Sequence, residues 1–358
     1  MADFEQIDNE NSLNVEQPES KKKDKKKLIA LILSIVLIIG VVGFDYFSSS
    51  TESSETFVAM GTVINSKIYG INGKSVQEKI KNKIDETEKD LSWRIADSDI
   101  YKINNAGGKP AMISDRTRKI IAECIDVSNM SSGVFDITAG AVTKLWDFGG
   151  DNQRLPNDEE IKAQLPYINY KDIVIDDTDG TVCVQKGQSL DLGAVGKGAA
   201  CDELLIVLNN ERVKSAVVSV GGSLIIFGSK TFNIGIANPE NSNEAVGTLK
   251  LNNTCVSTSG DYEKVFEQDG KKYHHILDPK SGYPAQSDLS SVTVICQSGL
   301  ISDALSTACY ILGYEKSQPL LEKYGAKAVF VFYDKTVKYS ADLEKIFEIT
   351  NDSYRAVQ

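Results

Sequence analysis

The sequence predicts an α+β domain of mixed, largely antiparallel sheets with flanking helices, preceded by one transmembrane helix. Three observations predict it. Residues 28–44, LIALILSIVLIIGVVGF, are 17 positions without a charge. At ~1.5 Å per residue they make about 25 Å of helix, enough to cross a bilayer. Beyond them, segments with 3.6-residue periodicity and cap residues mix with β-rich runs that turn at Asp179-Gly180 and Asp269-Gly270, a hairpin signature. The order is hairpins among helices, not a regular strand–helix alternation, which argues against a doubly wound parallel sheet. No repeat of 20–50 residues is present.

In chain order, residues 1–27 are polar and end in KKKDKKK, a cytoplasmic tail expected to be disordered. The lysines place the chain after Phe44 on the far side of the membrane. The competing reading of 28–44 is a cleaved signal peptide. Its apolar core exceeds a usual h-region, and no A-x-A site follows. Residues 45–55 read as a flexible spacer and 56–352 as the globular domain.

Within the domain, 57–70 partly alternates and reads as one strand. Residues 75–92 carry Val76, Ile80, Ile84 and Leu91 on one helical face. Residues 100–110 read as a loop. Residues 114–133 read as a helix with Ser114 as cap and Gly133 as stop. A polar loop and short helix cover 151–166. DIVIDDTDGTVCVQ, 172–185, reads as a hairpin, and 215–239 as strands broken at Gly221-Gly222. Residues 247–260 read as a strand pair, 262–279 as a second hairpin, 290–297 as a strand, 302–313 as a helix and 326–334 as the last strand.

The net charge is −11, and six lysines against seven acidic residues in 1–27 leave −10 to the rest. No basic face suits nucleic acid, so any anionic ligand must be held by a few local donors or a metal. The six cysteines are scattered, without CxxC, and read as small buried hydrophobes.

Three stretches carry chemistry. DLGAVGKGAACDELL, from Asp191, follows a strand and opens a helix, with Gly193, Gly196 and Gly198 around Lys197. It is neither GxGxxG nor a P-loop. Glycines still let backbone approach a ligand, and a helix start offers N–H groups to an anion. The structural alternative is a tight turn with a solvated lysine. In STSGDYEKVFEQDGKKYHHILDPKSGYP the only two histidines, His274 and His275, are adjacent on a strand, so one at most faces a site. In SDALSTA, Asp303 and Thr307 share a helix face, an arrangement suited either to a hard cation or to ordinary helix-start bonding.

Together, and in order, these stretches resemble the ApbE family, the FAD:protein FMN transferases. MGT at 60–62, SGVFDITAGAVTKLWDFG at 132–149, DLGAVGKG, SVGGSL, STSGDYE, HHILDPKSGYP and DALSTA carry the resemblance. It runs from Met60 to Tyr339. Ser223 departs from the commoner Asp, and Ser306 stands where some members carry a second acid.

The resemblance implies an ApbE-like, T-fold-like α+β domain and an extracytoplasmic enzyme. That enzyme moves FMN from FAD to a Thr or Ser of another protein, with Mg²⁺ and release of AMP. It implies that Met60, Trp93, Val134, Phe135 and Asp136 line the FAD site, that Asp191 and Lys197 hold FAD, and that Leu277 borders its rings. Asp303, Thr307 and the Ala194 carbonyl would bind Mg²⁺. His275 would orient the pyrophosphate or act as base. Catalysis would fall to His275, Asp303 and Lys197. The alternatives are a Mg²⁺-dependent FAD pyrophosphatase giving FMN and AMP, and a membrane-tethered flavin-binding protein without chemistry. Expected partners are FAD, an extracytoplasmic acceptor and the membrane, with no nucleic acid.

Overall fold

The computed structural model describes residues 51–211 and 213–357. The expected tail and anchor, 1–44, and the spacer up to 50 lie outside them. Among the described residues no helix is long and apolar enough to cross a membrane.

Nine strands form the central sheet, in the order β1-β2-β6-β7-β10-β13-β14-β15-β17. They are β1 (Glu52–Ala59), β2 (Thr62–Tyr69), β6 (Ser215–Val220), β7 (Ser223–Gly228), β10 (Thr254–Gly260), β13 (Leu289–Cys296), β14 (Lys327–Phe332), β15 (Thr336–Tyr339) and β17 (Arg355–Ala356). All neighbours are antiparallel except β15 and β17. The two-residue alternation of side chains divides the core. Ile225 points to the helical layer, where Ile64 and Ile68 meet Ile80 and Ile84 of α1 (Gly73–Leu91) and Leu204 and Leu208 of α6 (Gly196–Asn210). Ile226 points the other way. There it packs with Ile236 of β8 (Phe232–Asn238), Leu249 of β9 (Asn241–Leu251) and Phe347 of β16 (Phe347–Ile349), which form a second sheet. A helical half-layer joins α3 (Asp115–Met130) and α7 (Gly299–Leu312) to β13 and β14 through Ile121, Cys124, Leu305, Val292 and Phe330.

The architecture is α+β with largely antiparallel sheets, as the hairpin pattern predicts. Several local expectations need correction. Residues 57–70 are not one strand. They turn at Met60 (φ 52°) and Gly61 (φ 66°), so β1 and β2 form a hairpin. Two left-handed residues make the tight turn that strand twist favours, but Met-Gly lacks the Asn-Gly signal. Residues 52–55, read as spacer, belong to β1. Residues 100–110 contain the short helix α2 (Asp99–Asn105), capped by Ser98 and anchored by buried Ile100 and Ile103. The two strands in 247–260 belong to different sheets, because the chain crosses over at Asn253 (φ 42°). β14 is not the last strand. β15, β16 and β17 follow it.

The helix read at 302–313 starts earlier, at Gly299 behind the Ser298 cap, and β17 lies past the expected domain end at 352. Other local expectations hold. α3 starts at the Ser114 cap, whose side chain accepts from Thr117 N. The 172–185 hairpin pairs β4 (Val174–Asp176) with β5 (Thr181–Cys183), and 262–279 pairs β11 (Val265–Gln268) with β12 (Lys271–His274). The six thiols are free; four are buried, and Cys183 and Cys296 are half-buried.

Candidate active site

The site is built on the crossing of α6 and α7. A Cβ added to Gly198 would lie 2.2 Å from the Gly299 carbonyl oxygen and 2.7 Å from Asp303 Cβ. One added to Gly299 would lie 2.4 Å from the Gly198 carbonyl oxygen. The two helices therefore touch backbone to backbone at their first turns. This corrects the reading of the glycine stretch: Gly198 admits a helix, not a ligand. Gly196 faces Met60, whose Cε would be 3.5 Å from an added Cβ. The helix start is also less open than expected. Gly196 N–H donates to Leu192 O (2.7 Å), and Gly198 N–H donates to Asp303 Oδ2 (2.8 Å). One turn on, Asp202 accepts from Gly299 N, Leu300 N and Ser298 Oγ, which caps α7.

Asp303 is 4% exposed. Burial pushes its carboxyl up; the Lys197 charge, the Gly198 N–H and the Ser223 hydroxyl pull it back. Behind it, Ser257 Oγ lies 3.1 Å from Ser223 Oγ and 2.9 Å from Ser302 Oγ. Thr307 Oγ1 is 3.3 Å from Ser259 Oγ, which also bonds Ser306 at 2.8 Å. Ala194 stands just before α6. A carboxylate, a hydroxyl and a carbonyl are an all-oxygen set with one charge, which fits a hard cation that keeps waters and takes phosphate oxygens. Among the described residues no three of His, Cys, Asp and Glu gather into a denser metal cluster.

Lys197 lies against the β6–β7 turn: a Cβ on Gly221 (φ 59°) would be 3.2 Å from Lys197 Cδ and 2.7 Å from Thr62 Oγ1. The MGT turn thus closes on the lysine, and Met60 N–H is fixed by Glu88 (2.9 Å). His275 sits just past β12. Its Nδ1 is 2.9 Å from the Glu263 carbonyl oxygen. A carbonyl only accepts, so Nδ1 carries the proton and Nε2 keeps its lone pair. Burial, then the charges of Lys197 and Lys264, lower His275 to about 3, so the ring is neutral. His274 points elsewhere, to Ala285 O (3.2 Å) and the edge of Tyr310. Of the two histidines one faces the site, as strand alternation requires.

A second wing holds Asp191 and Trp93. Asp191 accepts from Thr143 Oγ1 (2.7 Å) and Gly193 N (2.8 Å). The Arg94 guanidinium (4.1 Å) and Lys144 Nζ (5.0 Å) both lie over the Trp93 ring. Lys264, held at φ 43°, is acted on by Lys197 and also by Asp191, Glu263 and Arg94, so it links the wings.

The structure does not bring every expected residue to the crossing. Val134 and Phe135 are core side chains, 8% and 2% exposed. The Asp136 carboxylate accepts from Thr138 N, Thr138 Oγ1 and Tyr170 N, bonds that shape its loop. Leu277 packs in an aromatic cluster with Trp146 and Tyr273. Asp136 lines an open recess of about 660 Å³ with Asn129, Lys171 and Lys280; Lys197, Asp303 and His275 do not line it. Conversely, Glu263, Lys264 and Thr143 were not singled out. All three lie inside the quoted motifs, but only the folded chain shows what they touch.

The ApbE family model matches residues 60–330. An FAD:protein FMN transferase of Treponema pallidum is 32% identical over 317 residues, spanning 82% of this chain and 88% of that protein. One of Klebsiella pneumoniae is 32% identical over 308 residues, spanning 85% and 96%. Among solved structures, the ApbE protein of Thermotoga maritima superposes with a TM-score of 0.78 at 30% identity, covering 83% of this chain and 99% of that one. Pseudomonas stutzeri flavinyl transferase ApbE, apo form, gives 0.72 at 30% identity, covering 83% and 96%. The motifs that meet at the α6–α7 crossing lie inside the matched span, and the fold agrees over nearly the whole of both relatives: the chain belongs to the ApbE family.

Proposed function

We propose that this chain transfers FMN from FAD to a Thr or Ser hydroxyl of an acceptor protein. The acceptor oxygen bonds to the FMN-side phosphorus, the bridging P–O bond breaks, and AMP leaves with the bridging oxygen. The observation that carries the reading is the neutral His275, with Nδ1–H tied to Glu263 and Nε2 unprotonated, beside Lys197 and the buried Asp303. Nε2 is built to take the acceptor's proton. Lys197 offers positive charge to pyrophosphate oxygens as charge grows on them. Asp191 and Trp93, fixed by Thr143 and flanked by Arg94, suit the nucleotide's polar and ring parts. Asp303, Thr307 and the Ala194 carbonyl would hold Mg²⁺, which screens phosphate charge and polarises the P–O bonds. The name shared by the relatives supports the same activity.

The reading extends to location. A single-span anchor at 28–44, with lysines before it, would hold the domain outside the cytoplasm, and sharing a membrane with the acceptor would raise their effective concentration. Protease treatment of intact cells tests this: digestion of the domain from outside supports it, and protection refutes it.

The activity is tested by incubating the full-length chain with FAD, Mg²⁺ and a candidate acceptor, followed by mass spectrometry. A gain of one FMN on the acceptor establishes transfer. Free FMN and AMP in the presence of a competent acceptor favour the pyrophosphatase. Intact bound FAD under those conditions favours the flavin carrier.

A further inference from the structure

Glu263 is a half-buried charge that the mechanism above uses only through its backbone. It stands two residues before the β11–β12 hairpin, whose last pair is Val265 with His274; regular pairing ends at Lys264 (φ 43°), and His275 meets Glu263 beyond it. The Nδ1 bond to the Glu263 carbonyl is that meeting. The side chain turns to the glycine pair between β6 and β7. A Cβ on Gly222 would lie 3.5 Å from Glu263 Oε1 and 3.9 Å from Oε2. A Cβ on the preceding Gly221 would lie 3.2 Å from Lys197 Cδ. The turn is thus a thin backbone partition with a carboxylate on one side and the stem of the catalytic lysine on the other. A Cβ at Gly221 would press on the lysine stem, whereas one at Gly222 would only touch the carboxylate. Among the described residues no donor hydrogen-bonds the Glu263 carboxylate, although burial pushes its carboxyl up; Lys197 is the strongest favourable charge on it. A half-buried carboxylate with no donor of its own, beside the lysine that faces the pyrophosphate, is placed to act on that lysine.

Resting on the flavin-transfer reading, we propose that Glu263 is a positioning residue. Its carbonyl sets the tautomer and direction of His275, and its carboxylate holds the Lys197 ammonium toward the turn, so that base and cation address the same phosphoryl group. One residue would then couple the hairpin wall to the helix floor. The carboxylate repels the anionic substrate, so it aids turnover rather than FAD binding.

The test compares wild type, E263Q, E263D and K197M, with the double variant E263Q/K197M, in the full-length chain. It measures kcat and KM for FAD in transfer to an acceptor protein, and the melting temperature. In E263Q the expected result is a kcat lower by about tenfold or more, with KM for FAD unchanged or lower. E263D should recover part of the loss, because it keeps the charge. In the K197M background E263Q should add little, since its effect passes through that lysine. A wild-type kcat in E263Q, a rise in KM alone, or additive losses in the double variant would each overturn the assignment. If E263Q does not fold, the same readouts on E263D decide, and a wild-type kcat there, with its shorter reach, counts against positioning. A wild-type chain that leaves FAD whole beside a competent acceptor removes the transfer reading itself, a failure distinct from any seen only in the variants.

Discussion

The α6–α7 crossing and the mouth of the β11–β12 hairpin meet at Lys197, and they are built on opposite terms. At the crossing the backbones touch through Gly198 and Gly299, and the polar groups are paired: Gly198 N–H with Asp303, and Asp202 with three donors of the α7 start. At the mouth, the Glu263 carboxylate and the Nε2 of His275 have no hydrogen-bond partner among the described residues. The difference separates two tasks. The crossing is a rigid floor that fixes where Asp303 and Lys197 stand. The mouth carries half-buried groups left free to act on a substrate.

The strongest way to break this comparison is at the floor. Gly198→Ala places a methyl 2.2 Å from the Gly299 oxygen, so the helices must part. We expect a loss of about 3 kcal/mol or more in denaturant unfolding. An unchanged midpoint would mean that the crossing is loose. Next is Asp303→Asn, which keeps a side-chain oxygen for Gly198 N–H but removes the charge. Transfer should fall by about 10²–10³-fold, and calorimetric Mg²⁺ binding should be lost. Because burial already favours the neutral acid, stability should hold or rise. A variant that unfolds, or that transfers at the wild-type rate, would contradict this split between fold and function.

The mouth is sharpened by pH. His275 has a folded value of about 3 against 6.5 when unfolded. Between these values the unfolded chain binds a proton that the native chain does not, so stability falls as pH falls from 6.5 toward 3. His275 can contribute at most ~4 kcal/mol of that slope. In His275→Gln the acid slope of unfolding free energy should flatten; an unaltered slope would show that His275 is not a neutral base with a lowered pKa. The smallest effect is expected at Gly61, where nothing lies within 4 Å of an added Cβ and φ is +66°. Gly61→Ala should cost about 1 kcal/mol through backbone strain alone. A loss as large as that at Gly198 would erase the distinction between a turn glycine and a contact glycine.

The sequence determined a good deal by itself. Capping at Ser114, the Asp269-Gly270 turn, the helix that carries Asp303 and Thr307, and the opposite facing of His274 and His275 all follow from local rules of period and turn chemistry, which act over a few residues. The motif series was also enough to identify the family. Local rules failed where a long-range partner decided the outcome. The Met60–Gly61 turn is set by strand pairing and by the Glu88 bond, not by a strong turn dipeptide. The split of 247–260 between two sheets depends on which strand each half pairs with. The use of Gly198 was beyond sequence reading for the same reason: its partner, Gly299, is about a hundred residues away, and a glycine that admits a helix spells the same as one that admits a phosphate. Only the tertiary structure brings Lys197, Glu263, His275 and Asp303 to one place, because their mutual fields exist only once the hairpin mouth has closed over the crossing.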